Sequence, residues 1–144
     1  TVAEERVYTG CYREFGYWEK DEFGNLNYSS LSRSIQDKLL EDEEFWSIVP
    51  VEGKVFFQSK KRIYTYDLRT KSLDILNLES SFPKIFNTDM GVFTQANNDG
   101  LYQITGGKKI LVSNDSVLKD DEVINVFSVR GKLLLLTRNN GFYV

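Results

Sequence analysis

A glycine followed by two large apolar residues recurs along this chain as Gly16-Tyr17-Trp18, Gly100-Leu101-Tyr102 and Gly141-Phe142-Tyr143, with Arg62-Ile63-Tyr64 as a glycine-free copy. The copies lie 46 residues apart from Gly16 to Arg62, 38 on to Gly100 and 41 on to Gly141. A period of roughly 40 residues belongs to arrays of one supersecondary unit. A second landmark keeps the same order. Gly53, Gly91 and Gly131 each follow one apolar stretch and precede another, as in Trp46-Ser47-Ile48-Val49 before Gly53 and Val55-Phe56-Phe57 after it. Two landmarks repeating together restrict the chain to a repeat architecture.

The unit itself reads as a four-stranded meander. In the clearest copy, residues 45–51 form a strand that Gly53 turns back into residues 54–59; residues 62–68 and 73–78 follow across short polar turns. Aromatics alternate through Ile63-Tyr64-Thr65-Tyr66-Asp67, which places both rings on one face of a sheet. The next unit has strands at 84–87, 92–96, 101–105 and 109–113, the last two joined by Gly106-Gly107-Lys108. That glycine pair is read as a hairpin turn, because it lacks the spacing and the following helix of a phosphate-binding loop.

Strands at 7–11, 15–20 and 26–30 look like a unit without its first strand. Those at 123–127, 132–137 and 141–144 look like one without its last. The expected fold is therefore all-β: a β-propeller-like fragment of four-stranded antiparallel blades, two complete and flanked by two partial ones, in a single segment spanning 1–144. The blade boundaries are 6–31, 45–78, 82–113 and 123–144. Residues 32–44 interrupt the strand pattern with Ile35, Leu39 and Leu40 at helical spacing, so a short helix or loop insertion is expected there.

Composition removes several classes of function. The absence of histidine excludes imidazole acid–base chemistry and the usual zinc sites. Cys11 is the one cysteine, so no disulfide forms within the chain, and it is read as a small buried strand residue. A net charge of −3 disfavours direct contact with nucleic acid. No apolar run approaches the roughly 20 residues that cross a bilayer, and the first residues have no signal-peptide organisation. Any membrane contact is therefore expected through parts outside this chain.

The acidic clusters Glu41-Asp42-Glu43-Glu44 and Asp120-Asp121-Glu122 each precede the first strand of a unit. They are read as solvated loop charges, since their spacing fixes no catalytic pair. Asn114-Asp115 with Asp120-Asp121 lacks the ligand order of a calcium loop. No catalytic residue, metal ligand or cofactor is expected. The candidate ligand contacts are instead the polar turns between the second and third strands: Arg13 and Glu14; Lys60, Lys61 and Arg62; Asn97, Asn98 and Asp99; Arg138, Asn139 and Asn140. In a meander these turns emerge on one rim. Donors and acceptors beside aromatic rings suit a hydroxyl-rich molecule such as an oligosaccharide.

The strings Tyr12-Arg13-Glu14-Phe15-Gly16-Tyr17-Trp18, Gly24-Asn25-Leu26-Asn27-Tyr28-Ser29-Ser30-Leu31-Ser32, Phe45-Trp46-Ser47-Ile48 and Arg62-Ile63-Tyr64-Thr65-Tyr66-Asp67 resemble the two-component regulator propeller repeats of Bacteroidetes sensor proteins. Asn98-Asp99-Gly100-Leu101-Tyr102 and Asn139-Asn140-Gly141-Phe142-Tyr143 resemble the Gly-Leu-x-x-Tyr part of that repeat. Arg62 departs from the pattern where glycine is usual. The resemblance implies the periplasmic sensor region of an inner-membrane regulator, responding to a glycan or related nutrient, with a histidine kinase or a LuxR-type DNA-binding output elsewhere. The resulting expectation is a non-catalytic sensing segment. Its alternatives are a protein-interaction or dimerisation scaffold, with a homodimer as its partner, and, with less support, a polysaccharide lyase or glycosidase propeller.

Overall fold

The alternation of apolar and polar residues resolves into short antiparallel strands joined by tight turns. The computed structural model describes residues 1–78, 83–96 and 99–144. The chain divides into two compact units, Thr1–Ile75 and Leu76–Val144, with one strand running across the division.

In the first unit, β1 (Val2–Ala3), β2 (Arg6–Cys11), β3 (Glu14–Lys20) and β4 (Leu26–Ser30) form one sheet in sequence order. The second sheet holds β5 (Ser47–Val51), β6 (Lys54–Gln58), β7 (Arg62–Asp67) and β8 (Leu73–Asn77), again in sequence order. The first sheet thus has four strands, where the sequence reading over 6–31 expects three. The added strand pairs Val2 with Val7 and Ala3 with Arg6 across a turn in which Glu4 and Glu5 both take positive φ. Two residues are too few to show a period, and neither turn residue is a glycine, so the pattern carries no signal for this strand.

The core of this unit lies between facing sides of its two sheets. Phe15, Val55, Phe57 and Tyr64 are fully buried, and Tyr8, Phe45 and Tyr66 nearly so. The Phe15 ring centroid lies 4.4 Å from that of Phe57 and 4.6 Å from that of Phe45. Burying one such ring contributes about 2 kcal/mol. Tyr64 and Tyr66 both enter this cluster, as their alternation requires. Between β4 and β5 a 3-10 helix, Ser32–Lys38, bends at Ile35; Ile35 and Leu39 seal the same core. Its buried Ser32 hydroxyl accepts the Phe15 N–H at 3.2 Å.

Cys11 is exposed, contrary to the buried role read from its type. It ends β2 opposite Glu14, on the face away from Tyr8 and the core.

In the second unit, β9 (Ile85–Thr88), β10 (Gly91–Ala96), β11 (Gly100–Thr105) and β12 (Lys108–Ser113) form a third sheet. Gly106 and Gly107 make the hairpin turn between β11 and β12. The fourth sheet has three described strands, β13 (Val123–Val129), β14 (Lys132–Thr137) and β15 (Gly141–Tyr143). Phe86, Phe93, Leu101, Val123, Val126 and Leu135 form the core between these two sheets.

One element absent from the sequence reading is α1, Ser116–Asp120. The Asp115 carboxylate caps it by accepting the Val117 N–H at 3.1 Å, and Leu118 anchors it in the core. Asp115, weighed above as a calcium ligand, is thus a helix cap.

Candidate functional site

Strand reversal puts the β2–β3 and β6–β7 turns of the first unit at one end of its sheets, together with the connection that carries the 3-10 helix. At this rim the sequence reading places Arg13, Glu14, Lys60, Lys61 and Arg62. The structure adds a residue that the reading assigned to solvent. Glu43 is only 3% exposed.

The Glu43 carboxylate accepts the Ser59 hydroxyl at 2.5 Å, the Tyr64 hydroxyl at 2.8 Å and the Leu40 N–H at 3.0 Å. The Arg62 guanidinium lies 3.5 Å from it and also donates to the Lys38 carbonyl at 2.7 Å and the Tyr64 hydroxyl oxygen at 3.2 Å. Burial pushes the Tyr64 phenol well above its ordinary value; Arg62 opposes the shift and Glu43, as acceptor, adds to it. Arg62 therefore stands where other copies of the repeat have glycine because it is the counter-ion of a buried acid.

Arg13 takes positive φ in its turn and donates its N–H to the Glu43 carbonyl at 2.8 Å. Its guanidinium donates to the Gln36 carbonyl at 3.3 Å, and the Gln36 amide returns a bond to the Arg13 carbonyl at 3.1 Å. Glu43 thus joins both sheets of its unit, by its carbonyl to the first and by its carboxylate to the second. Glu14 accepts the Tyr28 hydroxyl at 2.7 Å. Burial raises its pKa, but hydrogen bonds from Ser30, Tyr28 and Ser32 with the Arg33 charge outweigh that and leave it lowered. Lys60 and Lys61 are exposed and, with Leu40, Asp42, Glu43 and Ser59, outline a pocket of about 100 Å³. That is below the roughly 300 Å³ at which small-molecule sites begin.

The second unit builds the same joint with different groups. Asp121, the corresponding acid before β13, is 5% exposed. Its carboxylate accepts the N–H and side-chain amide of Asn139, at 2.9 Å each, and those of Asn140 at 2.9 and 2.8 Å. Its carbonyl accepts the Gln95 amide at 2.7 Å, while the Gln95 oxygen accepts the Val123 N–H at 2.7 Å. Burial works to raise the Asp121 pKa, yet the donors on Asn139, Thr137 and Asn140 hold it at about 2.

Arg138 is largely exposed and pairs with Glu122 at 2.5 Å; Lys84 holds the other Glu122 oxygen at 2.6 Å. Asp99 accepts the Tyr102 hydroxyl. Asn97 and Asn98 lie outside the described residues.

Both acidic clusters therefore place one buried carboxylate in the fold, correcting their reading as solvated charge. The signal was available in the sequence: an acid just before the first strand of a unit, and a donor-rich turn two strands later. Among the described residues, the rim carboxylates act as acceptors for turns. That arrangement fixes loop geometry.

No family model matches the chain, and no curated protein matches it. Among solved structures, the chain is similar to PorZ, an essential bacterial surface component of the type-IX secretion system of Porphyromonas gingivalis. The two share 16% identity with a TM-score of 0.61 over 99% of this chain. The chain spans 18% of the length of that protein. At this identity the likeness shows a shared fold: an all-β, propeller-like succession of antiparallel sheets.

Proposed function

We propose that this chain is a non-catalytic ligand-sensing segment of an extracytoplasmic signalling protein, responding to a glycan or related nutrient. The observation that carries this reading is the repeated antiparallel sheet, whose turns gather at one end within each unit and are held by Glu43 in the first and by Asp121 in the second. Loops fixed on a rigid sheet scaffold are a common basis for binding without chemistry. The buried acids are committed to hydrogen bonds that order turns, which supports binding over hydrolysis. Likeness in fold to a bacterial surface component supports a place outside the cytoplasm. The periplasmic side of an inner-membrane regulator is the specific placement proposed.

A thermal-shift screen against neutral and acidic saccharides tests the reading, with sugar analysis of the incubated polysaccharides. A shift with at least one saccharide and no released product is the expected result. Release of reducing sugars would transfer the chain to the hydrolase or lyase class.

The scaffold reading is favoured by one observation, the exposed apolar run Ile110, Leu111 and Val112 on β12. A stable homodimer by light scattering, together with silence across the saccharide panel, is the outcome that would select it.

A further inference from the structure

One edge of the third sheet is β12, and its sequence is divided by chemistry: Lys108-Lys109 at the start, Ile110-Leu111-Val112 in the middle and Asn114-Asp115 just past the end. Ile110, Leu111 and Val112 are 54%, 50% and 44% exposed. We propose that two copies of this chain pair along β12, antiparallel about a two-fold axis near Leu111, so that the third sheet of each continues into that of the other. The proposal rests on the scaffold reading above, to which it gives an interface, and is independent of the sensing reading.

The first argument is the open edge. β12 pairs with β11 on one side, and among the described residues no strand pairs with its other side. An exposed edge with apolar side chains is a template for another strand, and three adjacent exposed apolar residues suit a strand that something covers. The fourth strands of the first unit differ. β4 alternates Leu26 and Tyr28 with Asn27 and Ser29, and in β8 Leu76 is buried between the half-buried Ile75 and the polar Asn77. Lysines and bulges usually protect an edge. In β12 the lysines are gathered at the start, and the bulge lies at Val112, where Leu101 pairs with Ser113 and Tyr102 with Leu111. Neither device separates Ile110 from Leu111.

The second argument, charge, selects the occupant. Antiparallel pairing brings Lys108 and Lys109 of one copy toward Asn114 and Asp115 of the other, and the two-fold axis repeats that match at both ends. Lys108, Asn114 and Asp115 are exposed, while the Lys109 ammonium lies 4.4 Å over the Tyr102 ring of its own sheet. Hydrogen bonds from the Tyr143 hydroxyl and the Val117 N–H hold the Asp115 carboxyl below its usual range, so its charge is present at neutral pH. A parallel arrangement would set lysine beside lysine. The edge is thus complementary to itself. A strand of six residues makes a short contact, so the dimer is weak and forms with rising concentration.

Sedimentation velocity of the 144-residue chain across a concentration series tests the proposal, and a reversible dimer is the expected result. Leu111→Thr keeps a strand-forming side chain and should weaken the dimer about tenfold. Lys108→Glu, which sets a carboxylate against Asp115 of the other copy, should weaken it about threefold. Both positions are exposed, so the melting temperature of the monomer should hold. Phe23→Ser, at an aromatic 81% exposed on the β3–β4 turn, should leave the dimer unchanged. A dimer that ignores Leu111→Thr and Lys108→Glu, or that Phe23→Ser weakens as much as they do, would overturn the β12 interface and leave association to another surface. A monomer at every concentration would remove the β12 pairing and the scaffold reading together, with the sensing reading unaffected.

Discussion

Glu43 in the first unit and Asp121 in the second occupy the same place in the repeat, and they solve the same problem with opposite chemistry. Glu43 is held by side chains: a hydroxyl from Ser59, a phenol from Tyr64 and the charge of Arg62. Asp121 is held by the amides of two consecutive asparagines, backbone and side chain together. The longer glutamate reaches across its sheet to the third strand, whereas the shorter aspartate needs a turn that wraps around it. The difference explains why Arg62 starts one third strand and Gly141 the other. An arginine at that position completes an ion pair, while Gly141, at φ 72°, lets the two asparagines before it fold onto the acid. The joint is therefore the unit of repetition, and its residue types are free to change as a set.

The largest effect is expected at Glu43. Replacing it with alanine takes the acceptor from the Tyr64 hydroxyl, leaves the Ser59 hydroxyl only its long 3.5 Å contact with the Arg62 carbonyl, and removes the counter-ion of Arg62. Breaking a buried charge network from one side costs about 3 kcal/mol. Urea titration of Glu43→Ala should show a loss of that order in unfolding free energy, with Glu43→Gln recovering part of it by retaining an acceptor oxygen. A loss below about 1 kcal/mol would mean that the network is not a structural joint.

Asp121 differs from Glu43 in that its contribution is readable through pH. Its folded pKa, about 2, lies below the ordinary aspartate value of 3.8. A depressed carboxylate contributes stability that is fully present above the unfolded pKa and is lost as pH falls through the folded one. The contribution of Asp121 should thus be complete near pH 6 and decline between about pH 4 and pH 2. Thermal melts of the parent chain and Asp121→Asn across that range should converge toward acid pH as Asp121 itself becomes protonated. Parallel curves would show that the asparagine turn does not depend on the charge.

What the sequence displays and what it hides follow from the same distinction. The meander was legible because period-2 alternation and paired turn residues act locally, as in Ile63 to Asp67 and Gly106-Gly107. Strand β1 was hidden by its length, and α1 because its five residues span little more than one helical turn. The glycine repeat was legible as a rhythm but not as a cause. Gly141 does lie at a turn with open space around it, whereas Gly16 sits inside β3, where an added Cβ would come within 2.2 Å of the Ser29 carbonyl oxygen. One letter thus stands for a conformational need in one copy and for a lack of room in the other. The acidic clusters were hidden for a related reason. Four adjacent carboxylates look alike in sequence, and only the partners supplied by strands far along the chain single out Glu43.

Arg62 and Arg138, two of the three arginines expected at the rim turns, give the smallest contrast. Both were expected to face a ligand. Arg62 has a side chain only 17% exposed and makes three polar contacts within its unit. The Arg138 side chain is 61% exposed and meets Glu122 at the surface, where solvent and salt screen the pair. Arg62→Ala is expected to cost about 2 kcal/mol because it strands Glu43, and Arg138→Ala no more than about 0.5 kcal/mol. Raising salt to about 1 M should erase the smaller effect, since screening then acts within about 3 Å, and leave most of the larger one. Chemical denaturation of both variants with urea at low and high salt reads the difference. Equal losses would mean that burial does not distinguish the two arginines, and that the first unit does not depend on its ion pair more than the second depends on its surface charges.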